Sequence, residues 1–70
     1  MEILYQRGNR TFMVREKGKI LFVNLSSKRV SRIDDITAQE LLQSGYWSPY
    51  IKGEDDKKIR EELSPLIRSI

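Results

Sequence analysis

The chain has no cysteine, no histidine, two prolines, four glycines and no apolar run longer than the four residues Ile20–Val23. Without cysteine it can form neither disulfides nor thiolate metal sites. Without histidine it lacks the commonest zinc ligand, the usual general base and any imidazole-based triad. Four apolar residues fall far short of the roughly 20 that a membrane helix needs. The opening Met1-Glu2-Ile3-Leu4-Tyr5 does not follow the basic, apolar, small order of a signal peptide, so a cytoplasmic location and no membrane partner are expected. Gly8, Gly18, Gly45 and Gly53 are isolated, which leaves no glycine-rich loop to cradle a phosphate. Ser26, Ser27 and Ser48 have no evident activating partner. The expectation is a non-enzymatic protein with no catalytic residues, no metal, no cofactor and no small-molecule substrate.

Seventy residues make one domain near the lower size limit for independent folding, at which only about 60% of the unfolded surface is buried. With disulfides and zinc excluded, oligomerisation is the remaining way to reinforce so small a core.

What the chain does have is a division of charge that coincides with a change of hydrophobic period. Residues 1–33 carry eight basic and two acidic side chains; residues 34–70 carry five basic and eight acidic ones, giving +6 and −3. The basic part alternates with the period of strands and the acidic part repeats with the period of helices. Residues 1–70 are therefore read as a single domain, with a β-meander over 1–33 and a helical half over 34–70.

Three alternating runs, Glu2–Arg7, Arg10–Glu16 and Lys19–Leu25, are separated by Gly8-Asn9 and Lys17-Gly18, two-residue links suited to tight hairpins. Pairing Arg7 with Arg10 sets Tyr5 opposite Phe12 and Ile3 opposite Val14. Pairing Glu16 with Lys19 sets Val14 opposite Leu21 and Phe12 opposite Val23. One face then gathers Ile3, Tyr5, Phe12, Val14, Leu21, Val23 and Leu25, and a slip of one residue would scatter this set. A fourth strand is expected over Arg29–Ile33.

In the helical half, Thr37 and Glu40 have the spacing of a capping box, with Ile36 and Leu41 placed as a hydrophobic staple. They predict a short helix over Ala38–Ser44 stopped by Gly45. Asp34-Asp35 and Glu54-Asp55-Asp56 are read as acids at helix starts rather than as catalytic or metal-binding carboxylates. Ile59, Leu63, Leu66, Ile67 and Ile70 form the stripe of a longer C-terminal helix, in which Pro65 either opens a separate last turn or kinks the helix. The predicted fold class is α+β: a three- to four-stranded antiparallel meander followed by a short helix and a longer C-terminal helix, both packed on one face.

The remaining face offers two functional readings. Arg10, Lys17, Lys19, Lys28 and Arg29 cluster at turns and strand ends, and Arg15 projects from the second face beside Phe22. These cations with a stacking phenylalanine suggest a regulatory or accessory protein contacting nucleic acid, the bases stacking on Phe22 and the cations holding phosphates. Edge-strand cations also serve to prevent sheet aggregation. The alternative is a protein-interaction module or homodimer, using an apolar patch of Leu4, Met13, Ile20 and Phe22 together with Tyr46 and Tyr50. A C-terminal helix crossing to this side would instead make the patch core. Trp47 is read as core and Tyr46 and Tyr50 as either core or contact.

Overall fold

The computed structural model describes residues 1–69. The chain runs β1 (Glu2–Arg7), β2 (Thr11–Glu16), β3 (Lys19–Asn24), β4 (Arg29–Ile33), α1 (Asp35–Gln43), β5 (Ser48–Pro49) and α2 (Asp56–Arg68). The α+β class holds: β1 to β4 form an antiparallel meander, and β5 adds a short fifth strand beside β1, giving the order β4-β3-β2-β1-β5. Ile70, assigned above to the apolar stripe, lies outside the described residues.

The β2–β3 hairpin has the predicted register, with Glu16 opposite Lys19, Val14 opposite Leu21 and Phe12 opposite Val23. Its link works because both turn residues take positive φ, 51° at Lys17 and 76° at Gly18, the combination a two-residue turn of matching twist requires. The β1–β2 pairing corrects the expectation. Ile3 faces Val14, but Tyr5 then faces Met13 and Gln6 faces Phe12, because the register shifts at Leu4. This bulge adds one residue to β1 and moves Tyr5 to the other face. The link also lengthens to Gly8-Asn9-Arg10, with Arg7 opposite Thr11.

The two helices cover opposite faces rather than sharing one. On the first face, Leu63 and Ile67 of α2 pack with Ile3, Phe12, Val14, Leu21, Val23 and Leu25. On the second, Ala38 of α1 and Trp47 pack with Met13, joined by the half-buried Tyr5, Ile20, Phe22, Ile33, Leu41 and Leu42. The cause is the apolar content of the second face, since each fully buried large apolar side chain contributes about 1.5–3 kcal/mol.

Asp34, not Thr37, caps α1: its Oδ1 accepts the Thr37 backbone N–H at 2.8 Å. The helix therefore starts three residues before the predicted first residue Ala38, and Ile36 stands 69% exposed in its first turn instead of stapling to Leu41. Gly45, at φ 84°, follows the Ser44 cap as expected. The longer helix passes through Pro65 without a break, so no separate last turn forms. Pro65 is exposed, and its ring displaces no core side chain. No described helix is long and apolar enough to cross a membrane.

Candidate nucleic-acid interface

The basic side chains divide into those held by partners and those left to solvent. Arg10, in the β1–β2 link, reaches across to α2, where its Nη1 donates to Glu62 Oε1 and Oε2 at 3.1 and 3.0 Å. This two-point contact ties the hairpin to the helix 52 residues later. Arg15 stands 3.7 Å from Glu2, and Arg60 is bound to Asp56 at 3.0 Å. Arg7 places its guanidinium 5.6 Å from the centre of the Trp47 ring, a cation–π contact. Arg10, expected to hold phosphate, is thus held within the fold, whereas Arg15, expected to do the same, is exposed and makes only a loose surface pair.

Lys17, Lys19, Lys28, Arg29, Arg32, Lys52, Lys57, Lys58 and Arg68 are exposed, and among the described residues none has a carboxylate at ion-pair distance. The fold brings three of them together at one groove. Lys17 and Lys19, from the β2–β3 turn, and Arg68, from the last turn of α2, line one groove of about 230 Å³ floored by Leu21 and Ile67. Glu16 also lines it, but its carboxylate is engaged by the N-terminal ammonium at 3.7 Å. The groove is consequently positive.

Lys19 also borders a second groove, of about 490 Å³, with Arg32, Asp34 and Asp35. Here two carboxylates balance the two cations. Asp34 stays ionised because its cap bond from the Thr37 N–H holds its carboxyl below the usual carboxylate range. Lys28 and Arg29 lie at the far end of β4, about four strand residues from this groove, or about 13 Å.

Phe22 is not the open platform expected of it. It lies between Met13 and Ser31 in the sheet, half-buried, with its ring centre 5.7 Å from that of Trp47 at an interplanar angle of 70°. The apolar patch of the alternative reading is likewise covered. Met13 is buried, Leu4 and Ile20 are half-buried, and α1 with Trp47 occupies that side. Trp47 is core, as read from the sequence, and its Nε1 is buried without a hydrogen-bond partner among the described residues. Tyr46 is 73% exposed. Tyr50 is half-buried, packing edge-on against Phe12 at 6.1 Å while its hydroxyl donates to Asp56 Oδ1 at 2.6 Å.

Two cations at the grooves, Arg32 and Arg68, were missed by sequence reasoning. Arg32 had a signal, since it lies in the expected fourth strand and its register sets it opposite Leu21, two residues from Lys19. Arg68 had none: its approach to the turn of residues 17–18 is a tertiary contact about fifty positions distant in the chain.

No family model matches the chain, and the comparisons with curated proteins and with solved structures give no match.

Proposed function

We propose that this domain is a non-enzymatic accessory or regulatory protein that binds nucleic acid by its phosphates, without stacking bases on the sheet. The observation that carries this reading is the convergence of Lys17, Lys19 and Arg68 on one groove whose only carboxylate among the described residues, that of Glu16, is already engaged. Arg32, Arg29 and Lys28 continue the unpaired positive charge along β4. Contacts of this kind fix a backbone in place and carry no base information, so the binding is sequence-independent and salt-sensitive. A cytoplasmic location belongs to the same reading. The protein-interaction alternative keeps only Tyr46 of its residues as a well-exposed side chain, and the phosphate reading is preferred on that ground.

The test is a titration against short single- and double-stranded oligonucleotides at several salt concentrations. Affinity should fall on a log–log plot with a slope of roughly −0.9 per phosphate neutralised on a duplex and roughly −0.7 on a single strand. Replacing Lys19 and Arg68 by glutamine should weaken binding to all sequences equally and reduce the slope by about 2. Absence of binding at low salt overturns the proposal.

A further inference from the structure

The two borders of the sheet are built differently. On one side β5 is two residues long and ends in Pro49, which cannot donate to a further strand. On the other side β4 offers five residues without proline and has no strand beyond it among the described residues. Around it the sequence reads Lys28-Arg29-Val30-Ser31-Arg32-Ile33-Asp34-Asp35, basic at the start and acidic at the end.

We propose that a second copy of this chain pairs antiparallel with β4 about a two-fold axis through Ser31, joining the two sheets into one. The axis must stand perpendicular to the sheet, so each residue is opposed by one that points to the same face. This restricts the central registers to those centred on Val30, Ser31 or Arg32. Centring on Val30 brings Lys28, in the turn just before β4, up to Arg32 of the second copy. Centring on Arg32 sets that residue directly against itself. Both crowd like charges, which is destabilising.

Centring on Ser31 sets Arg29 against Ile33, Val30 against Arg32 and Ser31 against its own equivalent, and brings Lys28, the left-handed turn residue before β4 (φ 56°), to the Asp34 end of the second copy. Asp34 uses Oδ1 to accept the Thr37 N–H, which leaves Oδ2 for the lysine. Val30 and Ile33 are half-buried within one chain, on opposite faces of the sheet. In the pair each is covered by the aliphatic stem of an arginine whose charged head remains in water. Basic side chains on an edge strand ordinarily keep copies apart. In this register none directly opposes another, and the same charges select the alignment.

The pairing also joins what one chain keeps separate. Lys28 and Arg29 of the second copy come alongside the end of β4 that carries Arg32, near Lys19 and its grooves. The association does not depend on nucleic acid.

The cysteine-free chain allows a direct test, a Ser31→Cys substitution. Opposed residues in an antiparallel pair have Cα atoms about 4.5–5.5 Å apart, inside the roughly 4.4–6.8 Å span of disulfides. Under mild oxidation the variant should form a disulfide-linked dimer about tenfold or more faster than Lys52→Cys, a control at an exposed position away from β4, because pairing raises the effective thiol concentration. The unsubstituted protein should sediment as a concentration-dependent dimer. Ser31→Arg, which opposes two guanidinium groups on the axis, should sediment as a monomer that still melts cooperatively, since Ser31 is exposed, with a melting temperature that no longer rises with protein concentration as the parent's does. A monomer at every concentration overturns the proposal, as does cross-linking no faster than in the control. A monomer that self-associates only when an oligonucleotide or an acidic peptide is added also overturns it, and assigns the border to that ligand.

Discussion

Tyr50 sits at the centre of a small polar network. Its hydroxyl donates to Asp56, whose carboxylate also accepts from Arg60 Nε, and Arg60 Nη1 in turn donates to the Met1 carbonyl at 3.1 Å. One buried carboxylate thus joins the loop after β5, the start of α2 and the beginning of the chain. Burial, together with the bond to Asp56, pushes the Tyr50 pKa up to about 12. The Tyr50 bond, followed by Arg60, holds Asp56 below the usual carboxylate range. Each shift implies a sign. The Tyr50 contribution is complete below about pH 10, the ordinary phenol value, and is lost as the pH rises towards about 12. The Asp56 contribution is present above the ordinary carboxylate range and is lost as acid protonates it through its lowered value. Tyr50→Phe should therefore be less stable at neutral pH, by about 1 kcal/mol for one hydrogen bond, and should show a flatter alkaline limb in denaturant titrations. A limb as steep as that of the parent would place the alkaline loss on other groups. None of this network was legible in the sequence. Tyr50 and Asp56 are six residues apart on either side of a glycine, and no periodicity indicates that a loop phenol turns back to a helix start.

Among the elements, legibility followed the local pattern. The β2–β3 hairpin could be registered residue by residue because its strands alternate cleanly and Lys17-Gly18 allows one turn geometry. β1 could not, because Ile3-Leu4-Tyr5 are all apolar and alternation gives no means of finding a bulge among them. The start of α1 was ambiguous for another reason: Asp34 and Thr37 are both good caps, one helical turn apart. The fold uses the earlier one, since Asp34 accepts from the Thr37 N–H. This can be checked by comparing melting temperatures. Asp34→Ala should lower the midpoint and should abolish the part of the acid sensitivity that arises from its depressed pKa. Thr37→Ala should leave the midpoint nearly unchanged; the reverse order would return the cap to Thr37. The elements of the candidate site were half legible in the same way. Lys17 and Lys19 are neighbours on a visible turn, whereas Arg68 reaches them through packing of Ile67 into a core assembled from both halves of the chain.

The whole molecule, 28 × 25 × 22 Å in extent, has one central layer with a helix on either side. The charge division seen in the sequence did not become two sides of the sheet. Arg10–Glu62 joins a positive segment to a negative one across the fold, and the cations without an ion pair among the described residues are spread over the strand ends, the β4 border and α2 with the loop before it. Leu4 bears most directly on how the two packed sides are held together. Its carbonyl accepts the Tyr50 N–H at 3.0 Å, while the ladder to β2 steps past it, leaving Ile3 in the α2 cluster and Tyr5 in the α1 cluster. Leu4 therefore works as a frame-shift within the strand, counting one residue so that the text on either side of it is read on different pages. Because Leu4 is the extra residue, its removal would leave Ile3 opposite Val14 and Tyr5 opposite Met13 in an uninterrupted ladder, neighbours on opposite faces. Leu4→Ala and deletion of Leu4 should therefore both keep Tyr5 in the α1 cluster and both give a cooperative thermal transition. A deletion variant that loses this transition would show that the extra residue itself, and not the placing of Ile3 and Tyr5 on opposite faces, holds the two sides together.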